Sequence, residues 1–235
     1  MKVAVLQSTT IRVEETMTSY NRVFITGCDA KTEWMLPWFI KEYKRHNNTP
    51  ILLCNFGMTT EAVEQARLDF DDIYEVPRQK IGGWFYKPSA MLRAPAIEKV
   101  WIDTDIHVLG DISGIFNYIE DEKLAMVEDK PWTSRRGETW HNSGVVGVRG
   151  TPMILKQWVD QCKAKPKQGD QEVLHEMVRY DPLTRMRFIS DVPNIYNWLR
   201  LQVTHDGQDS PKKLCMHWTG EKGKNEIRRM MYNNG

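Results

Sequence analysis

Val100-Trp-Ile-Asp103-Thr-Asp105-Ile-His-Val-Leu-Gly-Asp111-Ile is the stretch on which the fold reading turns. Val100, Trp101 and Ile102 carry the branched and aromatic side chains of a buried strand. Two carboxylates follow at once, and the apolar Ile106, Val108 and Leu109 resume after them. Side chains alternate along an extended chain, so Asp103 and Asp105 are expected on one side, close enough to approach a single cation together. Carboxylate oxygens suit hard divalent ions such as Mn²⁺ or Mg²⁺. A D-x-D pattern is common on strand edges and turns, so the surrounding chain has to decide its meaning.

Upstream, short apolar runs alternate with segments of helical spacing. Arg22-Val-Phe-Ile-Thr-Gly reads as a buried strand ending in a glycine turn, and Pro50-Ile-Leu-Leu-Cys-Asn-Phe-Gly as a second. Residues 32–46 carry Met35, Phe39 and Tyr43 at helical spacing, with Thr32 as the expected N-cap and Pro37 in the early turns. Residues 61–70 and 87–96 read as helices and 72–76 as a strand. Downstream, 111–118 and 153–163 read as helices, 124–128 and 144–148 as strands, and 129–140, 165–170 and 205–213 as loops. Strand and helix in alternation predict an α/β fold, a mostly parallel sheet with helices on both faces. Ligands of such sheets bind outside the carboxyl ends of the strands.

The bulk properties narrow the class. A chain of 235 residues with 41% hydrophobic and 27% charged residues has the composition of one globular domain, which excludes disordered and fibrous classes. Apolar runs fall well short of the roughly 18 residues of a membrane span, and MKVAVLQSTT lacks a secretory apolar region. A soluble cytoplasmic protein without a membrane partner is therefore expected. Cys28, Cys54, Cys162 and Cys215 form no C-x-x-C pair and read as reduced structural thiols. The net charge of +1 does not advertise a nucleic-acid binder. One local exception is the tail, where Lys212, Lys213, Lys222, Lys224, Arg228 and Arg229 face only Glu221 and Glu226. With Arg135 and Arg136, these residues are a candidate track for a polyanion.

Four further motifs follow the D-x-D in order: His141-Asn-Ser-Gly-Val-Val, Gly169-Asp-Gln-Glu, Pro193-Asn-Ile-Tyr-Asn and His217-Trp-Thr-Gly. Together with VWIDTDIHVLGDI they resemble the A-type glycosyltransferase fold, and within it the retaining, glycogenin-like family (glycosyltransferase family 8) and its relatives. The resemblance covers about half of the chain, from Asp103 to Gly220. It implies a single nucleotide-diphospho-sugar transferase-like domain over residues 1–235. Its nucleotide-binding half would span about 20–110, and its acceptor and donor-sugar half about 111–235.

The reaction implied is metal-dependent transfer of a sugar, with retention, from a nucleoside-diphosphate sugar such as a UDP-sugar to a hydroxyl acceptor. Asp103, Asp105 and His217 would hold Mn²⁺ or Mg²⁺, and Asp103, Asp105, Asp170 and Gln171 would be catalytic. Thr26, Lys87, Thr104, Asn142, Ser143, Gly144 and Gly220 would meet the donor. The family has a lysine three residues after its last glycine; here that place is Gly223, so Lys222 and Lys224 are both candidates for the phosphates. Trp84 and Trp140 are candidates for stacking on a sugar or base.

The acceptor stays open between a glycan, a protein hydroxyl and a hydroxymethylated base in nucleic acid. A sugar-phosphate nucleotidyltransferase is the first alternative. It is disfavoured because Thr26-Gly-Cys-Asp-Ala-Lys31 holds one glycine and one lysine where such enzymes carry a glycine-rich basic loop. A non-catalytic nucleotide-sugar-binding module is the second; it would have no need of every element of the constellation.

Overall fold

The computed structural model describes residues 20–76, 86–179 and 181–233. Trp84 lies outside the described residues. Seven strands form one sheet in the order β3-β2-β1-β4-β7-β6-β8. They are β1 (Tyr20–Cys28), β2 (Ile51–Asn55), β3 (Asp72–Glu75), β4 (Ala96–Ile102), β6 (Leu124–Glu128), β7 (His141–Arg149) and β8 (Ile189–Val192). Neighbours run parallel except at β7, which is antiparallel to both β4 and β6. The expected mostly parallel sheet is therefore present.

Alternation along the strands feeds two hydrophobic layers. Phe24, Val100 and Ile102 enter one layer, with Phe39 and Tyr43 of α1 (Leu36–His46) and Ile227 of α9 (Gly220–Asn233). Val23, Ile25 and Trp101 enter the other. Ala90 of α3 (Tyr86–Arg93), Trp158 of α5 (Met153–Ala164) and Leu174 of α6 (Asp170–Val178) pack on them there. α1 buries Leu36, Phe39, Ile40 and Tyr43, the spacing of one helical face, and ends in Lys44, Arg45 and His46, cations that suit a helix C-terminus. All four cysteines are buried and free. Among the described residues no helix is long and apolar enough to cross a membrane.

Several boundaries depart from the sequence reading. Thr32 does not cap α1: its hydroxyl donates to the Asp29 carboxylate at 3.0 Å, and a 3-10 turn over Glu33–Met35 intervenes. The helix expected over 61–70 is the shorter α2 (Thr60–Ala66), capped by Thr59. Residues 113–118 form a 3-10 segment rather than an α-helix. Residues 129–140 are not all loop, because Asp129 accepts from the Trp132 amide at 3.1 Å and starts α4 (Lys130–Arg136). Gly137, at φ 69°, ends that helix. β7 begins at His141 rather than Gly144, its polar start stabilised by side-chain hydrogen bonds. The chain also forms α7 (Pro182–Phe188) and α8 (Arg200–Thr204).

A small second sheet was not foreseen. It joins β5 (Ile106–Val108), β10 (Cys215–His217) and β9 (Trp198–Leu199) in the order β5-β10-β9. Its antiparallel register sets His217 opposite Ile106, one residue beyond Asp105. Near the N-terminal end of β4, Glu98 lies between its register partners Arg22 of β1 and Arg149 of β7. It accepts at 2.6 Å from each.

Candidate active site

The C-terminal ends of β1, β2 and β4 and the start of β7 open onto one cleft of about 1190 Å³. Asp103 and Asp105 stand at its centre. They do not converge by strand alternation, as expected, because β4 stops at Ile102 and the chain turns, with the Ile106 amide donating to the Asp103 carbonyl at 3.1 Å. The turn is held from both sides: Asp103 N–H donates to Gly144 O at 2.9 Å, and Trp218 N–H to Asp105 O at 3.0 Å. β10 brings in His217, whose Nε2 lies 3.1 Å from Asp105 and 3.8 Å from Asp103. One donor atom from each of the three residues lies within 4.8 Å of the others.

The charges explain why these groups stay together. Burial alone would raise the Asp105 pKa, but the His217 ring beside it holds it below the usual carboxylate range. Burial alone would depress His217, and Asp105 and Asp103 raise it instead. Burial keeps Asp103 above its ordinary value, only partly offset by Lys87. Two carboxylate oxygens and one imidazole nitrogen at this spacing fit Mn²⁺ or Mg²⁺. The His217 Nδ1 pairs with Asn197 Oδ1 at 3.0 Å, which leaves Nε2 for an ion.

From Asn197 a chain of amides reaches the far wall. Asn197 Nδ2 donates to Asn142 Oδ1 at 2.8 Å, and Asn142 Nδ2 donates to Asp129 and to Gln171, each at 3.0 Å. Gln171 Nε2 returns to Asp129 at 3.0 Å. Buried Lys87 of α3 reaches Asp103 at 3.1 Å, Asp170 at 3.2 Å and the Ser143 carbonyl at 2.8 Å. Burial by itself would lower its pKa, yet Asp103 and Asp170 outweigh that and keep the ammonium protonated. Gly169 holds the N-cap position of α6, and the Asp170 side chain is turned to Lys87.

Thr104, Asn142, Ser143, Gly144, Asp170, Gln171 and Gly220 all line the cleft. Thr26 does not: it is fully enclosed in β1 and its hydroxyl finds no hydrogen-bond partner. Lys224 lines the cleft, whereas Lys222 is exposed outside it. The shifted lysine has a steric cause. A Cβ on Gly223 would lie 2.9 Å from Trp218 Cα and closer still to its carbonyl, so no side chain fits there. Trp140 is not in the lining either; it stacks on His175 at 3.6 Å. Much of the basic tail is paired within itself, Arg228 with Glu221, Arg229 with Glu226 and Lys213 with Asp209.

Two buried residues were missed as site members, Asp129 and Asn197. Asn197 closes the Pro-x-x-Tyr-Asn motif, and Asp129 two places before Pro131 carries a helix-start signal.

The family model for nucleotide-diphospho-sugar transferases matches residues 97–230, which hold Asp103, Asp105 and His217 and the hydrogen-bonded chain behind them. The chain belongs to the nucleotide-diphospho-sugar transferase family. No curated protein matches it in sequence. Among solved structures, the apo-form glycosyltransferase GlyE of Streptococcus pneumoniae TIGR4 is similar at TM-score 0.61 and 19% identity, over 86% of this chain and 55% of that one. The galactosyltransferase LgtC, in complex with donor and acceptor sugar analogs, is similar at TM-score 0.62 and 12% identity, over 89% and 94%. The bifunctional glycosyltransferase WbbM is similar at 0.59 and 13%, over 88% and 47%. This family member thus spans about half the length of the GlyE chain. At these identities the likeness shows the fold, that of A-type glycosyltransferases.

Proposed function

We propose that this family member transfers a sugar from a nucleoside-diphosphate sugar, such as a UDP-sugar, to a hydroxyl acceptor, and does so with retention at the anomeric carbon. The observation that carries the reading is the convergence of Asp103, Asp105 and His217 beside a protonated buried Lys87 at the C-terminal edge of the sheet. When bound there, Mn²⁺ or Mg²⁺ would neutralise charge gathering on the diphosphate as the sugar departs.

The residues of the chain divide the remaining work. Lys224 faces the cleft from α9 and supplies a cation for the phosphates. Lys87, fixed by Asp103, Asp170 and Ser143, meets the donor with a charge that needs no reorganisation. Asn142, Asp170 and Gln171 address the donor sugar. In the reaction the bond from the anomeric carbon to the diphosphate oxygen breaks, and a bond to the acceptor oxygen forms on the same face. The acceptor proton passes to the leaving diphosphate, so no separate strong base is required. Retention and the placing within the glycogenin-like family rest on the motif resemblance.

The test is donor hydrolysis, which needs no knowledge of the acceptor. Wild type with Mn²⁺ should release nucleotide from a panel of UDP- and GDP-sugars, a chelator should stop it, and added Mn²⁺ or Mg²⁺ should restore it. Asp105→Asn keeps the size of the side chain and removes its charge, and should lower the rate by orders of magnitude. Hydrolysis at normal rates in excess chelator would sink the reading.

A further inference from the structure

The cleft has two ends of different make-up. β1 and β2 border one end, and β6 with the start of β7 borders the other. Lys31, Lys224 and Arg228 line the first end together with Asp29 and Glu221, Arg228 lying over the Trp34 ring at 4.7 Å, and Lys87 stands between the two. The second end is walled by Asp129, Trp132, Gln171, Glu172, Leu199 and Leu201, with the Arg136 guanidinium stacked over Trp132.

Trp132 is firmly mounted. Its own amide is bonded by Asp129, which starts α4, and α4 packs on α8, so Trp132 and Leu201 share a wall. Its ring centre lies 5.6 Å from that of Trp140, which in turn stacks on His175 at 3.6 Å. The indole is half-buried, and the exposed Arg136 guanidinium lies over it at 4.8 Å, so a ligand ring stacking on that face has to displace Arg136.

We propose that Trp132 is the platform for the acceptor and that the group received there is an uncharged hexopyranose ring. The proposal rests on the sugar-transfer reading above. A pyranose offers a face of C–H groups to an aromatic ring and a rim of hydroxyls that donate to carboxylates such as Glu172. Leu199 and Leu201 suit the same amphipathic ring. A nucleic-acid acceptor would bring phosphates toward Asp129 and Glu172, and three of the six basic residues of the tail are paired with neighbouring acids.

Saturation-transfer NMR with methyl glucoside, galactoside and mannoside, and with a short single-stranded DNA, tests this on the full chain with UDP and Mn²⁺ present. At least one hexoside should receive saturation at its ring C–H protons. Trp132→Ala should weaken that hexoside about tenfold, more than it changes UDP affinity measured on the same sample, and Trp132→Phe should recover most of the loss. Absence of hexoside binding to wild type, equal binding to Trp132→Ala, or DNA binding that depends on Trp132 would overturn the proposal. Failure of wild type to bind UDP would instead count against the sugar-transfer reading, and the hexoside signal still decides the role of Trp132. Should Trp132→Ala not fold, the wild-type contact map and Trp132→Phe remain as readouts.

Discussion

Gly144 has no side chain because His217 occupies the space one would need. A Cβ there would lie 2.6 Å from the imidazole Nδ1 and closer still to Cε1. The Gly144 carbonyl also accepts from Asp103, so this one residue holds the Asp103–Asp105 turn and clears room for His217. Gly144→Ala should therefore push His217 off its mark and weaken Mn²⁺ binding at least about tenfold, on the reasoning that overpacked sites yield by moving side chains. A calorimetric Mn²⁺ titration that matches wild type would refute this. The candidate ligands Asp103, Asp105 and His217 were legible in the sequence as residue types in a known order, and the structure brings them together. What was hidden at this scale was Asn197, since an amide that only orients a histidine looks in sequence like any other buried asparagine.

At the scale of elements, the first turn of α9 answers a question the sequence left open. Gly223 lies against Trp218, so the lysine of the resembling family has no room there, and Lys224 faces the cleft while Lys222 faces solvent. Lys224→Ala should reduce affinity for a nucleoside diphosphate by about tenfold, the loss of one charge-assisted bond, and Lys222→Ala should leave it near wild type. Isothermal titration with UDP separates the two. Equal losses in both variants would contradict the assignment.

The central strands carry a separate, purely structural tie. Burial alone would raise the Glu98 pKa, but hydrogen bonds from Arg149 and Arg22 on the flanking strands hold it below the usual range. A carboxyl so lowered contributes stability at neutral pH that is lost as pH falls below about 4.3 and through the lowered value. Glu98→Gln should lower Tm by a few degrees, on the order set by one partly screened ion pair, and should flatten the acid limb of a Tm-against-pH curve. An unchanged acid limb would dismiss the tie.

Elements made by long apolar runs were readable, as at Val23 to Ile25 and Val100 to Ile102. Those made by caps or by two- and three-residue strands were not. The turn of α4 hides behind Pro131 and polar neighbours, and β9 and β10 are too short to show a period.

For the whole molecule, the metal site spans two sheets. Asp103 and Asp105 follow a strand of the large sheet, and His217 ends a strand of the small one, more than a hundred residues later. No local pattern in the sequence announces such a pairing, and only the order of motifs hinted at it. An ion bound across the two sheets stabilises the folded chain, by about 2.7 kcal/mol at a hundredfold excess over Kd. For a chain of this size that is roughly 5–10 °C in Tm. Differential scanning should show the rise with Mn²⁺, its reversal by chelator, and its absence in Asp105→Asn; an equal rise in that variant would mean that the ion binds elsewhere.

Asp129 reaches further than a helix cap. One carboxylate starts the helix that carries Trp132 and also accepts from Asn142 and Gln171 on the donor side. If filling the proposed acceptor site at Trp132 shifts α4, the bonds of Asp129 to Asn142 and Gln171 change with it. The proposed donor and acceptor would then be thermodynamically linked: whatever factor one changes in the affinity of its companion, it receives in return. Asp129→Asn, which weakens both arms of that joint, should bring the coupling factor closer to one even where each substrate still binds alone.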